Sequence, residues 1–126
     1  MSDNTEFGFD PDQLKADLKP LEPGAPRVLS ASEQAYLRHY GIHYAEQVPN
    51  LTHQFGMIDT GRHRLAVHLW TPPDSTGTAL VIHGYYDHVG LYGHLIRHLI
   101  GRRLAVVALD LPGHGLSSGE RATIET

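Results

Sequence analysis

The sequence predicts an α/β fold in which a parallel sheet begins after a β-hairpin. Ala79–Ile82 and Leu104–Leu109 are continuous apolar runs, which are typical of strands buried on both faces. The stretch between them, Leu91–Ile100, has helical periodicity, with Tyr92, Leu95, Ile96, Leu99 and Ile100 on one face. Strand, helix and strand in this order predict a βαβ unit with a right-handed crossover.

The region before this unit is predicted to hold an arm, a helix and the hairpin. Residues 1–29 are rich in Pro, Asp, Glu and Lys, which indicates a mobile N-terminal arm. Residues 30–126 form the folded part. Ser30 and Glu33 have the spacing of a capping box, so they predict a helix over Ser30–Tyr40 that Gly41 ends.

The hairpin is predicted from two extended runs, Thr52–Ile58 and His63–Thr71, with a turn over residues 59–62. In the second run Leu65, Val67 and Leu69 alternate with Arg64, Ala66 and His68. A period of two means that one face of the strand is buried and the other is wetter.

Composition restricts the function classes. The 126 residues are 40% hydrophobic with a net charge of -4, which indicates a globular chain and argues against a nucleic-acid surface. Cysteine is absent, so disulfides and thiolate zinc sites are excluded, and we expect a cytoplasmic protein. The first residues do not read as a signal peptide, and no apolar run approaches the roughly 20 residues of an integral membrane segment.

Two motifs follow the two buried strands directly. The first is H-G-Y-Y-D-H over residues 83–88, and the second is D-L-P-G-H-G-L-S-S-G over residues 110–119. H-x-G-x-Y opens the intervening helix, and S-G-E-R, residues 118–121, begins at the last two residues of the second motif. Together they resemble the α/β-hydrolase superfamily, in its monoacylglycerol lipase, lysophospholipase and serine aminopeptidase branch. The resemblance is dense from about Leu65 to Ile124.

This resemblance implies an incomplete α/β-hydrolase fold, with the N-terminal β-hairpin and the first parallel βαβ unit, that stops before the nucleophile elbow. The superfamily carries its triad in the order Ser, acid, His downstream of that point, so none of the three would lie in this chain. It implies a serine hydrolase that acts on a small ester or lipid and needs no cofactor. The chain alone is expected to be inactive.

The resemblance also implies roles for individual residues. The backbone N–H of Tyr85 would be one donor of the oxyanion hole, which stabilises negative charge on the reacting carbonyl. Gly84 would let the chain approach the substrate closely, and Tyr86 would lie near the pocket wall. The residues expected to support the two loops are His83, Asp87, His88, Asp110, Gly113, Gly115 and Ser117.

Several alternatives stay open. G-L-S-S-G, residues 115–119, matches the letters of a nucleophile elbow, but no strand leads directly into it and little room for a helix follows. A metal-dependent hydrolase would use His83, Asp87 and His88. A glycine-rich nucleotide loop fits neither known spacing.

A non-catalytic fragment or interaction module is the remaining alternative. In the superfamily's strand order the third strand lies between the fourth and the fifth. Ala79–Ile82 would therefore present an open apolar edge, through which a second copy of the chain could associate.

Overall fold

A computed structural model describes residues 9–22, 24, 28–84 and 88–119. The four strands form one sheet in the order β1-β2-β4-β3. Their bounds are β1 Thr52–Asp59, β2 Arg64–Thr71, β3 Gly77–Ile82 and β4 Leu104–Leu109. β3 pairs with β4 in parallel, and the other two pairings are antiparallel. The predicted α/β class, with a hairpin followed by one parallel unit, is confirmed.

Three α-helices accompany the sheet: α1 Pro11–Asp17, α2 Ala31–His39 and α3 Gly93–Gly101. Short 3-10 helices span Tyr44–Glu46 and Val89–Tyr92. The predicted capping box is present at α2, where Ser30 Oγ accepts from Glu33 N–H at 3.1 Å and the Glu33 carboxylate accepts from Ser30 N–H at 2.8 Å. Gly41 follows the helix with φ of 69°, a conformation that suits glycine. None of the helices in the described ranges is long and apolar enough to cross a membrane.

The capping box leads to a modest stability prediction. Ser30→Ala is expected to lower the free energy of unfolding by about 1 kcal/mol, because the Glu33 N–H loses its acceptor. Urea denaturation followed by circular dichroism measures this change. Ser32→Ala, inside the same helix, is the matched control and should stay within about 0.5 kcal/mol of the parent. Equal effects of the two substitutions would contradict the capping role.

Residues 9–22 differ from the mobile arm that the sequence predicts. Asp10 caps α1 by accepting from Asp12 N–H at 3.0 Å, and Leu14 and Leu18 are buried in the core. The segment then runs beside β1, since Leu21 N–H donates to Met57 O at 2.8 Å and Met57 N–H donates to Lys19 O at 2.7 Å. This part of the arm is held because two leucines reach the core and the backbone pairs with an edge strand.

The helices in the described part of the chain cover one face of the sheet. Within the described residues, the sheet members of the hydrophobic core all lie on that face; they are Phe55, Met57, Ala66, Trp70, Val81, Val106 and Ala108. The opposite surface, which we call the open face, carries Leu65, Leu69, Leu80, Ile82, Val107 and Leu109, all exposed or only partly buried.

The open face corrects the prediction for β2. The alternation suggested that Leu65, Val67 and Leu69 form the buried side, yet of these only Val67 is buried. The covered side carries Ala66, His68 and Trp70 instead. Similarly, α3 buries Ile96 and Ile100 but leaves Leu95 exposed. The apolar residues are where the pattern put them, but the described structure leaves Leu65 and Leu69 partly uncovered and Leu95 exposed.

Candidate active site

The loops that follow β3 and β4 lie side by side at the carboxyl ends of the parallel strands. Tyr85, Tyr86 and Asp87 lie outside the described residues, so their predicted roles stay predictions. Gly84, just before them, is exposed, and its N–H donates to the hydroxyl of Tyr92 at 3.0 Å. Tyr92 was not among the predicted site residues, although the H-x-G-x-Y pattern contains it.

His83 connects the two loops. Its Nε2 accepts from Leu111 N–H at 2.8 Å, and its Nδ1 lies 2.7 Å from Gly84 O. A backbone N–H can only donate and a carbonyl can only accept, so the ring is neutral with its proton on Nδ1. Both ring nitrogens are engaged, which leaves His83 without a lone pair for a metal ion and argues against the metal alternative.

His88 begins the short helix after the first loop. Its Nδ1 accepts from Gly90 N–H at 3.2 Å, and its ring packs on Tyr40 with centroids 4.9 Å apart. A Cβ atom on Gly90 would lie 2.7 Å from the Tyr40 ring. The glycine is therefore needed for this close approach. The sequence did not predict that Tyr40 packs under this loop.

Asp110 holds both loops through its buried carboxylate. One oxygen accepts from Val89 N–H at 2.8 Å, and the other accepts from Leu116 N–H at 3.0 Å. The side chain is only 1% exposed. Burial, and secondarily the proximity of Asp110, raises the pKa of Tyr40 and of the fully buried Tyr36. One carboxylate thus fixes the backbone on both sides of the site.

The second loop is built around that carboxylate. A Cβ atom on Gly115 would collide with the Asp110 side chain, and the residue has φ of 48°. Gly113 also has positive φ, 76°, and its N–H donates to Ser118 O at 2.9 Å. His114 lies beside His83, with ring centroids 5.0 Å apart.

The side chain of Ser117 hydrogen-bonds to backbone groups of two neighbouring segments. Its hydroxyl donates to Asp110 O at 2.6 Å and accepts from Ala66 N–H at 2.8 Å, and the residue is 4% exposed. A nucleophile must present its oxygen to substrate, with a base ready to take the proton. The hydrogen bonding of Ser117 therefore fits a loop-supporting residue and argues against an elbow at residues 115–119.

Most described backbone N–H groups of the same loop are engaged within the protein, which argues against a phosphate cradle. Phosphate loops bind through free backbone N–H groups. Here each of the N–H groups of Gly113, His114, Leu116, Ser117 and Ser118 donates to an acceptor within the protein.

A second cluster of titratable side chains lies on the covered face of the hairpin. His53 Nε2 and His68 Nδ1 are 3.0 Å apart, in a stack with Phe55 and Trp70. Burial lowers the pKa of His53 to about 3. Burial, and secondarily His53, holds the pKa of His68 well below 6.5. In the hairpin register, His53 lies opposite Trp70 and His68 lies opposite Phe55. The length of the turn fixes this register, so the pairing could have been read from the sequence.

A cavity of about 300 Å³ lies beside this stack, between α2 and β1. Its lining includes Leu37, His43 and His53. It is separate from the two loops after β3 and β4, so it does not form part of the candidate active site.

A protein-family model matches the C-terminal part of the chain, which is less than half of its residues. The family model described as serine aminopeptidase, S33 (Hydrolase_4), covers residues 73–126. The monoacylglycerol lipase of Mycolicibacterium smegmatis is 39% identical over 70 residues, which are 55% of this chain and 24% of that protein. The human monoglyceride lipase is 44% identical over 54 residues, 41% of this chain and 18% of that protein. The chain thus spans about a quarter or less of these relatives.

The chain is also similar to parts of solved structures. A thioesterase domain from the curacin biosynthetic pathway has a TM-score of 0.46 and 26% identity, covering 54% of this chain and 24% of that chain. A cold-adapted esterase from an Arctic intertidal metagenomic library has a TM-score of 0.43 and 24% identity, covering 60% and 32% respectively.

Proposed function

We propose that this chain, which belongs to the α/β-hydrolase superfamily in its monoacylglycerol lipase-like branch, supplies the oxyanion-stabilising part of a serine hydrolase. The substrate class is a carboxylic ester with a lipid acyl group. The names of two relatives support this class, since both are lipases of monoacylglycerols. The proposal assigns the bond-breaking residues to polypeptide other than these 126 residues.

The observation that carries the proposal is the anchoring of the backbone on both sides of Tyr85. Before it, Gly84 N–H is bound by the Tyr92 hydroxyl, and after it, Val89 N–H is bound by Asp110. Donors that are fixed before the reaction stabilise developing charge without reorganising. Because the loop is held at both ends, the Tyr85 N–H is well suited to act as an oxyanion-hole donor.

The proposed reaction is acyl transfer through a serine. The serine oxygen attacks the ester carbonyl carbon while its proton passes to the triad histidine, and the carbonyl oxygen becomes an oxyanion. Tyr85 N–H and the N–H after the serine would stabilise that oxyanion. When the intermediate collapses, the alcohol leaves with the proton from histidine. Water then attacks the acyl-enzyme in the same manner and releases the carboxylic acid and the serine.

A chimera tests the role of Tyr85. Residues 73–126 would replace the corresponding stretch of the Mycolicibacterium smegmatis monoacylglycerol lipase, and hydrolysis of a monoacylglycerol would be measured. Tyr85→Pro, which removes the N–H, is expected to lower kcat by about 10²–10³-fold, the effect of losing one oxyanion donor. Tyr85→Ala keeps the N–H and is the matched control, expected within about tenfold of the parent chimera.

Two results would contradict the proposal. One is a Tyr85→Pro chimera that keeps the kcat of the alanine variant. The other is a parent chimera that folds, by circular dichroism, but hydrolyses nothing. Thermal melting of the proline variant separates lost chemistry from lost folding.

A second candidate function, a non-catalytic interaction module, is favoured by one specific observation. The open face exposes large apolar side chains that a free globular chain ordinarily covers.

A further inference from the structure

The residues that follow α2 pack against the segment that joins the loop after β3 to α3. A Cβ atom on Gly90 would lie 2.7 Å from Cγ of the Tyr40 ring and 2.9 Å from its Cδ2. The Tyr40 ring also makes a T-shaped contact with His88, with centroids 4.9 Å apart. Tyr40 therefore packs on two residues that lie between the loop and the helix.

A second contact lies a short distance further along both segments. The Tyr44 hydroxyl donates to the backbone oxygen of Gly93, the first residue of α3. A Cβ atom on Gly93 would lie 3.1 Å from that hydroxyl oxygen. Residues 40–44 thus hold the backbone both before α3 and at its start.

The ring of Tyr40 is itself held from its other side. Its neighbours there are Tyr36, His39 and Phe9, with centroids 5.3, 4.6 and 6.3 Å away. The contacts with Tyr36 and His39 are T-shaped, an arrangement that aromatic pairs favour. Turning away from Gly90 would break several of these contacts, so the ring is a fixed support.

We infer that Tyr40 is a positioning residue for the proposed reaction: its ring holds the backbone at His88 and Gly90 and so keeps the preceding loop in the orientation that directs the Tyr85 N–H to the oxyanion. The inference rests on the proposed function for the identity of that donor. It adds a residue outside residues 73–126, the stretch that the family model matches. Misplacing a reacting group by about 1 Å can cost roughly 100-fold in rate, so a residue that acts only through packing can change kcat.

Hydrogen–deuterium exchange of the 126-residue chain is the first test. Relative to a peptide from β4, a peptide spanning residues 84–92 is expected to exchange about tenfold faster or more in Tyr40→Ala, because the support under Gly90 is lost. Tyr40→Phe keeps the ring and should exchange like the parent. Leu37→Ala is the matched control, since Leu37 is buried in the same helix but lines the separate cavity beside β1.

A chimera supplies the kinetic test. All 126 residues would replace the Mycolicibacterium smegmatis monoacylglycerol lipase up to the end of the corresponding stretch. Tyr40→Ala is expected to lower kcat for a monoacylglycerol by about 10–100-fold and to leave KM within about threefold, because the oxyanion forms only after the substrate has bound. Tyr40→Phe should restore kcat, and Leu37→Ala should keep it.

A double substitution tests whether the contact itself matters. Gly90→Ala places a Cβ atom against the Tyr40 ring and should lower kcat in the parent chimera. In the Tyr40→Ala chimera that collision is gone, so adding Gly90→Ala should cost less than it does alone. Circular dichroism checks the folding of each variant, and Tyr40→Leu, which keeps more of the side-chain volume, replaces Tyr40→Ala if the latter does not fold.

The outcomes are distinct. Unchanged exchange of residues 84–92 in Tyr40→Ala would overturn the inference, and so would an equal increase in Leu37→Ala. An active chimera in which Tyr40→Ala keeps the parent kcat, or raises KM alone, would overturn it and leave the proposed function intact. Faster exchange in the free chain, together with a parent chimera that folds but hydrolyses nothing, would support the hold of Tyr40 on the loop and count against the proposed function.

Discussion

Asp110→Ala is expected to lower the free energy of unfolding by about 3 to 5 kcal/mol. The substitution leaves two buried N–H groups, those of Val89 and Leu116, without acceptors. Each unsatisfied buried donor costs about 1–3 kcal/mol, and bonds to a charged acceptor are at the upper end. Urea denaturation at pH 7, followed by tyrosine and tryptophan fluorescence, measures the change.

Asp110→Asn keeps the shape of the side chain but removes one hydrogen-bond acceptor, so it shows which of the two the stability depends on. Its amide keeps one oxygen but turns the second acceptor into a donor, so a loss close to that of the alanine variant is expected. Asp12→Ala, at an exposed position in α1, is the matched control and should stay within about 0.5 kcal/mol of the parent. An Asp110→Ala chain within 1 kcal/mol of the parent would show that the loops do not depend on this carboxylate.

Acid is expected to destabilise the fold through the buried histidine pair. In the unfolded chain each imidazole takes up a proton near pH 6.5, whereas burial keeps the pKa of His53 at about 3 in the folded chain. Below pH 6.5 the unfolded chain therefore binds more protons than the folded chain. The free energy of unfolding is highest above that pH and falls as the pH decreases towards 3. Between pH 7 and pH 5 the expected loss is about 2 kcal/mol for His53, and the lowered pKa of His68 adds to the loss in the same direction.

Urea midpoints measured across this range test the linkage. His53→Gln removes one of the two groups and should reduce the stability change between pH 7 and pH 5 by about 2 kcal/mol. His94→Gln, at an exposed position of α3, should leave it unchanged. The same slope in the His53 variant as in the parent would contradict this origin of the acid sensitivity.

Local features of the fold could be predicted from the sequence. The capping box depends on Ser30 and Glu33 only, three residues apart, and strands β3 and β4 are marked by continuous apolar runs. The two motif loops could be placed because each directly follows such a run. These features follow from short-range chemistry, which a single sequence contains.

Long-range features could not be predicted in the same way. Alternation along β2 shows that its faces differ but does not show which face a helix covers, so the burial of Trp70 and His68 was missed. The seven residues of α1 are too short for a periodic signal, although Leu14 is fully buried. The Asp110 carboxylate could be predicted to support its loop, but its bond to Val89 depends on where α3 packs.

The pairing of Lys19–Leu21 with β1 has a consequence for how copies of the chain could polymerise. Fibre growth by strand addition requires every unit to offer two free edges, one for each neighbour. Backbone hydrogen bonds at Met57 occupy one position of the β1 edge, and Pro20, which has no N–H, lies between the two residues that make them. In the part of the chain that the structure describes, a further strand could therefore add to β1 at Met57 only if Lys19–Leu21 were displaced, whereas no described residue blocks the outer edge of β3.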